Sequence, residues 1–249
     1  MIFVYDSKFM KNIILDEVRC ILLGDPVGKL SRRFLRYILI VVLNCLPSSI
    51  LNRISSRVWQ DEAALLWLES KISSISSSYI PERHGFIYEF MESDGYRKGA
   101  HVIEFGAGTA DIAKLVNSCD PNARISGVNL SQCPSYASYG EHIIGGILNT
   151  IRLIEKSDVS LFISLGSLMY ITRSELKEVF TRLKSAGASI LLLEPHVATR
   201  FGLRPNPFCF NHDYPNLLQS AGFSIVKVEV IYGDARTKLI RLIATSGDS

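Results

Sequence analysis

The chain has 249 residues, 47% of them hydrophobic, enough to bury a full core in one domain with room for an extension. Its 27 Lys and Arg against 24 Asp and Glu leave a net charge of +3, too small to argue for a nucleic-acid partner. Cys20, Cys45, Cys119, Cys133 and Cys209 are odd in number, dispersed and without a CxxC pair. That pattern predicts reduced thiols in a cytoplasmic protein and argues against a disulfide framework or a metal centre.

The opening stretch, MIFVYDSKFMKNIILDE, lacks the basic-then-apolar layout of a signal peptide. Residues 1–95 read as a helical N-terminal region. Within it, residues 29–60 hold six basic residues (Lys29, Arg32, Arg33, Arg36, Arg53 and Arg57) and no acidic one. The apolar centre from Tyr37 to Leu46 is interrupted by Asn44 and followed by Pro47, so it falls short of the roughly 20 residues of a membrane span. Two readings stay open for it. One is a basic, apolar helix lying on an anionic membrane face or on a partner there. The other is a buried helix that covers the following domain or forms a homodimer interface. Residues 61–80 begin as a helix and end in a Ser-rich linker. A further helix is expected from Pro81, in its first turn, to near Gly95.

Residues 96–249 alternate strands and helices. Strands are expected at His101–Phe105, Arg124–Val128, His142–Ile144, Val159–Ser164, Ser189–Leu193, Ser224–Ile231 and Lys238–Ala244. Helices are expected at Ala110–Ser118, Arg173–Ala186 and Tyr214–Ala221. Short continuous apolar strands such as SLFIS and SILLLE fit a mostly parallel sheet covered on both faces. Only YGDART separates the last two strands, so they form an antiparallel C-terminal hairpin.

The stretch HVIEFGAGTADIAKLV has the layout of a strand, a glycine loop and a helix. A dinucleotide-binding turn needs G-x-G-x-x-G, and here Asp111 stands at the third glycine position. An acid there blocks close helix–strand packing and repels phosphates, which disfavours a nicotinamide-dependent oxidoreductase.

The same stretch resembles the first motif of class I S-adenosylmethionine-dependent methyltransferases, E/D-x-G-x-G-x-G, through Glu104, Gly106, Gly108 and, as a small substitute, Ala110. The resemblance covers about residues 82–245 and implies a Rossmann-like α/β fold with seven strands. It also implies S-adenosyl-L-methionine as cofactor, with Glu104, Phe105, Gly106, Ala107 and Gly108 forming the loop around it. Asn129 and Leu130 stand where the family usually has an acid for the ribose hydroxyls. An amide there accepts one hydrogen bond without the strength of a charge. Gly146 and Ile147 stand where an acid often receives the adenine amino group, and Ser164 and Leu165 close the set at the fourth strand. The two neutral positions point to weakened cofactor affinity or to a site closed by the N-terminal helices. They also leave room for a non-catalytic partner or scaffold subunit.

Methyl transfer to a hydroxyl needs a positioned acceptor and a base. The acceptor pocket is expected above the ends of strands four and five. His196 is the leading base, because imidazole titrates near neutral pH; its alternative is a loop histidine bonded to backbone. Glu194 either orients His196, binds substrate or a metal, or closes a structural ion pair. Tyr170 is either a substrate contact or a packing residue, Arg200 flanks the acceptor entrance, and Asn211, His212 and Asp213 are exposed-loop candidates for polar substrate contacts. Asp213 equally suits the cap of a helix with Pro215 in its first turn. Arg200 and Arg204 would suit an anionic acceptor. Tyr136 and Tyr139 either line the adenine side or pack. The reading that follows is O-methylation of a small molecule or glycan, such as a cell-surface polysaccharide or sugar-nucleotide intermediate, by a cytoplasmic enzyme with a membrane-proximal acceptor.

Overall fold

A computed structural model describes residues 30–59, 84–196, 208–210, 212–233 and 238–247. The Ser-rich linker, Pro81, Arg200, Arg204 and Asn211 lie outside the described residues.

Two helices open the described chain, α1 (Leu30–Asn44) and α2 (Ser48–Trp59). The break between them falls at the Asn44–Pro47 interruption of the apolar run. Asn44 Nδ2 turns back onto the Ile40 carbonyl at 2.8 Å, and the Pro47 carbonyl accepts from the amides of Ile50 and Leu51. Helix α3 covers residues 84–91. Then come β1 (His101–Phe105), α4 (Asp111–Cys119), β2 (Arg124–Asn129), β3 (Glu141–Ile144), α5 (Ile147–Lys156), β4 (Val159–Leu165), α6 (Arg173–Ser185), β5 (Ser189–His196), α7 (Tyr214–Ser220), β6 (Ser224–Gly233) and β7 (Lys238–Thr245).

The seven strands form one sheet in the order β3-β2-β1-β4-β5-β7-β6. Strand β7 alone runs against its neighbours, inserted between β5 and β6. The apolar runs of β1, β4 and β5 are buried on both faces, as the composition of parallel strands requires. On one face Ile103, Phe105, Phe162, Ile190 and Leu192 pack under α5, α6 and α7. On the other, Val102, Leu161, Ile163, Leu191 and Leu193 pack under α3 and α4, with Phe86, Ile87, Phe90 and Met91 of α3 belonging to that core. Helix α6 starts in a capping box, in which the Thr172 amide donates to Glu175 Oε2 at 2.9 Å and the Thr172 side chain accepts from the Glu175 amide. Strand order reverses between β1 and β4, so the crevice above those two C-terminal ends is where this kind of sheet binds ligands.

Candidate functional site

The loop after β1 turns on three residues with left-handed backbones, Gly106 (φ +80°), Gly108 (φ +46°) and Ala110 (φ +67°). The Val128 carbonyl in β2 anchors it, accepting from Gly106 N at 2.8 Å and Ala107 N at 3.3 Å. A β-carbon on Gly106 would fall 1.9 Å from Ser167 Oγ, so the loop after β4 lies directly against this one. A β-carbon on Gly108 would meet only the Gly106 carbonyl oxygen, at 3.7 Å. The space over Gly108 is open to a ligand, whereas the space over Gly106 belongs to Ser167. Ala110 holds a conformation that costs an L-residue about 1–2 kcal/mol, at the third small position of the motif. Asp111 in the first turn of α4 accepts from Thr109 Oγ1 at 2.7 Å, placing an acid where a phosphate-binding turn needs none.

Glu104 is buried at the centre of the sheet and accepts from Tyr136 Oη at 2.9 Å. Burial pushes its carboxyl up to about 8, against the pull of that bond and of the Ala113 amide. Tyr136 reaches it across β2 because residue 127, opposite Glu104, is glycine; a β-carbon there would stand 2.2 Å from the ring. Burial first, and then the Glu104 carboxylate, raise the Tyr136 hydroxyl far above the usual phenol range. Tyr136 is therefore fully packed under the loop, the second of the two roles open to it in the sequence. Phe105 and Ala107 are buried as well.

At the β2 exit, Asn129 Nδ2 donates to the backbone oxygen and Oγ of Ser131 at 3.3 and 3.2 Å, which leaves its Oδ1 as the acceptor for a ligand hydroxyl. The Asn129 carbonyl receives Gly145 N at 2.8 Å and ties the β3 exit beside it. Gly146 precedes α5 with Leu130 3.5 Å from where its β-carbon would be, and Ile147 is buried. Ile144 and Leu148, 59% and 63% exposed, form an apolar rim at that corner.

The β4 and β5 exits are joined through Glu194. Its Oε1 accepts from Ser164 Oγ at 2.7 Å and from the amides of Ser167 and Leu168, both at 3.0 Å. Burial raises this carboxyl to about 7, opposed by those bonds. Ser164 is thus turned inward onto Glu194, and Leu165 packs on the α3–α4 side. Among the described residues Glu194 makes no ion pair; it holds the backbone that abuts Gly106. Its Oε2 and the Tyr214 hydroxyl are buried without a hydrogen-bond partner among the described residues.

His196 lies two residues on along β5, on the same face as Glu194. Its Nδ1 sits 3.1 Å from the His212 carbonyl, which can only accept, so Nδ1 carries a hydrogen and, in the neutral ring, the lone pair is on Nε2. His212 departs from the expected exposed-loop position. It is buried, with Nε2 on the Ile171 carbonyl at 2.8 Å and its ring edge-on to Tyr214, and burial lowers its titration to about 4. Phe208, Phe210, His212 and Tyr214 are all buried, an alternation through FCFNHDY that could have revealed an inward-facing extended segment. Asp213, between them, caps α7 by accepting from Asn216 N at 3.2 Å.

Helices α1 and α2 pack over the segment that follows the β5 exit. Leu43 and Leu51 pack with Phe208 and Phe210, and Leu39, Ile40, Leu46, Ile54 and Tyr170 pack against that cluster. Phe210 N donates to the Met169 carbonyl at 2.6 Å, fastening the segment to the β4 exit. Tyr170 is enclosed here beside Cys209, and burial raises its hydroxyl well above the usual range. Sequence reasoning did not single out Ser167, Phe208 or Phe210. The signal for Ser167 was the Gly166–Ser167 pair following an apolar strand, since Gly166 has φ +69°.

No protein-family model matches the chain, and no curated protein matches it. Among solved structures it is similar to geranyl diphosphate methyltransferase in complex with SAM, at 11% identity and TM-score 0.54, over 75% of this chain and 92% of that one. It is similar also to geranyl diphosphate C-methyltransferase from Streptomyces coelicolor A3(2), at 10% identity and TM-score 0.53, over 75% and 85%. A third is the O-methyltransferase from the trans-AT PKS multienzyme of Brevibacillus brevis, in complex with S-adenosyl-L-homocysteine, at 9% identity and TM-score 0.51, over 72% and 78%. At these identities the likeness shows the fold, which is the class I methyltransferase fold.

Proposed function

We propose that this chain is an S-adenosylmethionine-dependent methyltransferase that transfers the methyl group to a hydroxyl of a small molecule or glycan. The observation that carries the reading is the open approach over Gly108, at the switch point of the sheet, in the loop anchored to Val128 next to Asn129 in β2. The donor set fits the cofactor: small residues and left-handed backbone where a ligand must come close, Asn129 Oδ1 for ribose, and Asp111 favouring a cationic ligand over a pyrophosphate. Gly146, Ile147, Ile144 and Leu148 offer an apolar platform for the base in place of an acid.

When bound, the cofactor supplies a methyl group activated by a sulfonium. The chain's own part is to hold the acceptor at the β4 and β5 exits and to take its proton. His196 is placed to hold the acceptor's hydroxyl proton at Nε2, and the His212 carbonyl keeps the ring in the tautomer that can do so. Glu194 positions the loop that separates cofactor and acceptor.

A second reading, a non-catalytic partner subunit, draws support from Glu104, whose carboxyl is engaged by Tyr136 in place of a ligand. Calorimetric titration with S-adenosylhomocysteine separates the two. Micromolar binding by the wild type, abolished in a folded Gly108→Val variant, supports the enzyme. Absence of binding by folded wild-type protein supports the partner subunit.

A further inference from the structure

Helix α1 has apolar residues on two faces, and only one of them is covered. Leu39, Ile40 and Leu43 face the cluster with Leu51, Phe208 and Phe210. Tyr37, Ile38, Val41, Val42 and Cys45 follow one another at helical spacing along the opposite face. There Tyr37 is 61%, Ile38 42% and Val42 50% exposed, and Cys45 is exposed too. On α2, Ile50 (44% exposed), Arg53 and Arg57 share an exposed face at three- and four-residue spacing. The whole segment of residues 29–60 contains no acid.

An exposed apolar strip on one helix and an exposed basic face on the next are what a hairpin lying in a membrane interface needs, apolar side among acyl chains and basic side at anionic headgroups. No helix among the described residues is long and apolar enough to cross a membrane. A second copy of the strip would bring no acid of this segment to pair with Arg53 and Arg57.

We infer that the α1–α2 hairpin docks this face on an anionic lipid bilayer. Because the inner face of the same hairpin covers Tyr170, Phe208 and Phe210, docking holds the β4 and β5 exits about one helix diameter from the membrane. On the methyltransferase reading, on which this step rests, the acceptor is then a hydroxyl compound carried on a lipid in that bilayer.

The test is vesicle flotation of the full chain with phosphatidylcholine alone and with phosphatidylglycerol added. The protein is expected to float with the anionic vesicles at low salt, to be released at high salt, and to stay behind with phosphatidylcholine alone. R53Q/R57Q should bind about 30-fold more weakly, at about 1 kcal/mol per basic side chain. V42D should abolish flotation, while V226D, at an exposed valine of β6, should float as the wild type does. Absence of flotation, equal flotation on neutral vesicles, or a V226D loss matching that of V42D would overturn the docking. Titration with S-adenosylhomocysteine keeps the two conclusions apart. A protein that floats but does not bind it refutes the methyltransferase reading and leaves the docking standing; one that binds it but does not float does the reverse.

Discussion

Ser167 occupies the volume that any side chain on Gly106 would need, its Oγ lying 1.9 Å and its Cβ 2.4 Å from the position of a β-carbon there. The loops after β1 and β4 are thereby fitted to each other before any ligand arrives. Gly106→Ala should destabilise by about 2–4 kcal/mol, combining a left-handed alanine with an overpacked contact. Ser167→Gly should restore the packing share but not the backbone share. Urea denaturation of both single variants and the double variant measures the coupling. Strict additivity would mean that the loops do not touch.

Tyr136 and Glu104 form the buried polar pair beneath the site. Tyr136→Phe leaves the carboxyl without that donor and should cost about 1–3 kcal/mol in unfolding free energy. The lost bond had favoured the charged form, so the Glu104 titration should also move up from about 8. A carbon-detected NMR titration of the glutamate side chains reads this directly, and a downward move would show that Tyr136 acts mainly by excluding water.

Stability should fall between pH 6.5 and 8. Burial holds protons on Glu194 (about 7) and Glu104 (about 8), so each carboxyl's contribution is complete below about pH 4.5 and is lost as the pH rises through its folded value. His212 has the opposite sense: with its folded value at about 4, its contribution is present above about 6.5 and is lost as the pH falls. Of these three groups only the carboxyls act in the upper window, where they contribute together about 2 kcal/mol and Glu194 roughly 1. Glu194→Gln should flatten the decline of Tm by that share. An unchanged profile would place the ionisation elsewhere.

His196→Ala should lower turnover by about two to four orders of magnitude while leaving S-adenosylhomocysteine affinity unchanged. Wild-type turnover in that variant would remove His196 from the chemistry, and a parallel loss of affinity would make it a structural residue of the β5 edge.

Much of the α/β region was legible because its strands are short apolar runs bounded by turn residues. All seven expected strands occur, each within a few residues at its ends, and the six-residue connection YGDART was enough to require the terminal hairpin. Helix α5 was not anticipated; the residue before it is Gly146, which supplies no side-chain cap to mark it. The region of the site was legible from the glycine motif, whereas the directions of its side chains were not. Glu194 lies at the strand end where an acid was noted, yet whether it faces substrate or backbone depends on Ser167 and Leu168, which come from a different strand's exit loop. Likewise, Asn-His-Asp reads as a polar loop until Phe208, Phe210 and Tyr214 are seen to share the inward face with His212.

The placement of β7 has a consequence for the order in which the sheet can be built. Strands β5 and β6 flank it and do not pair with each other, so β5 keeps an unpaired edge until the last strand slides in between. During synthesis, β1 to β5 can assemble as soon as β5 has emerged, but β6 then has no neighbour in the sheet. Residues 238–245 must leave the ribosome before both edges close in a single event. A nascent chain paused between β6 and β7 would expose the hydrophobic edge of β5 and a free strand together, which makes that interval the one in which a chaperone has most to protect.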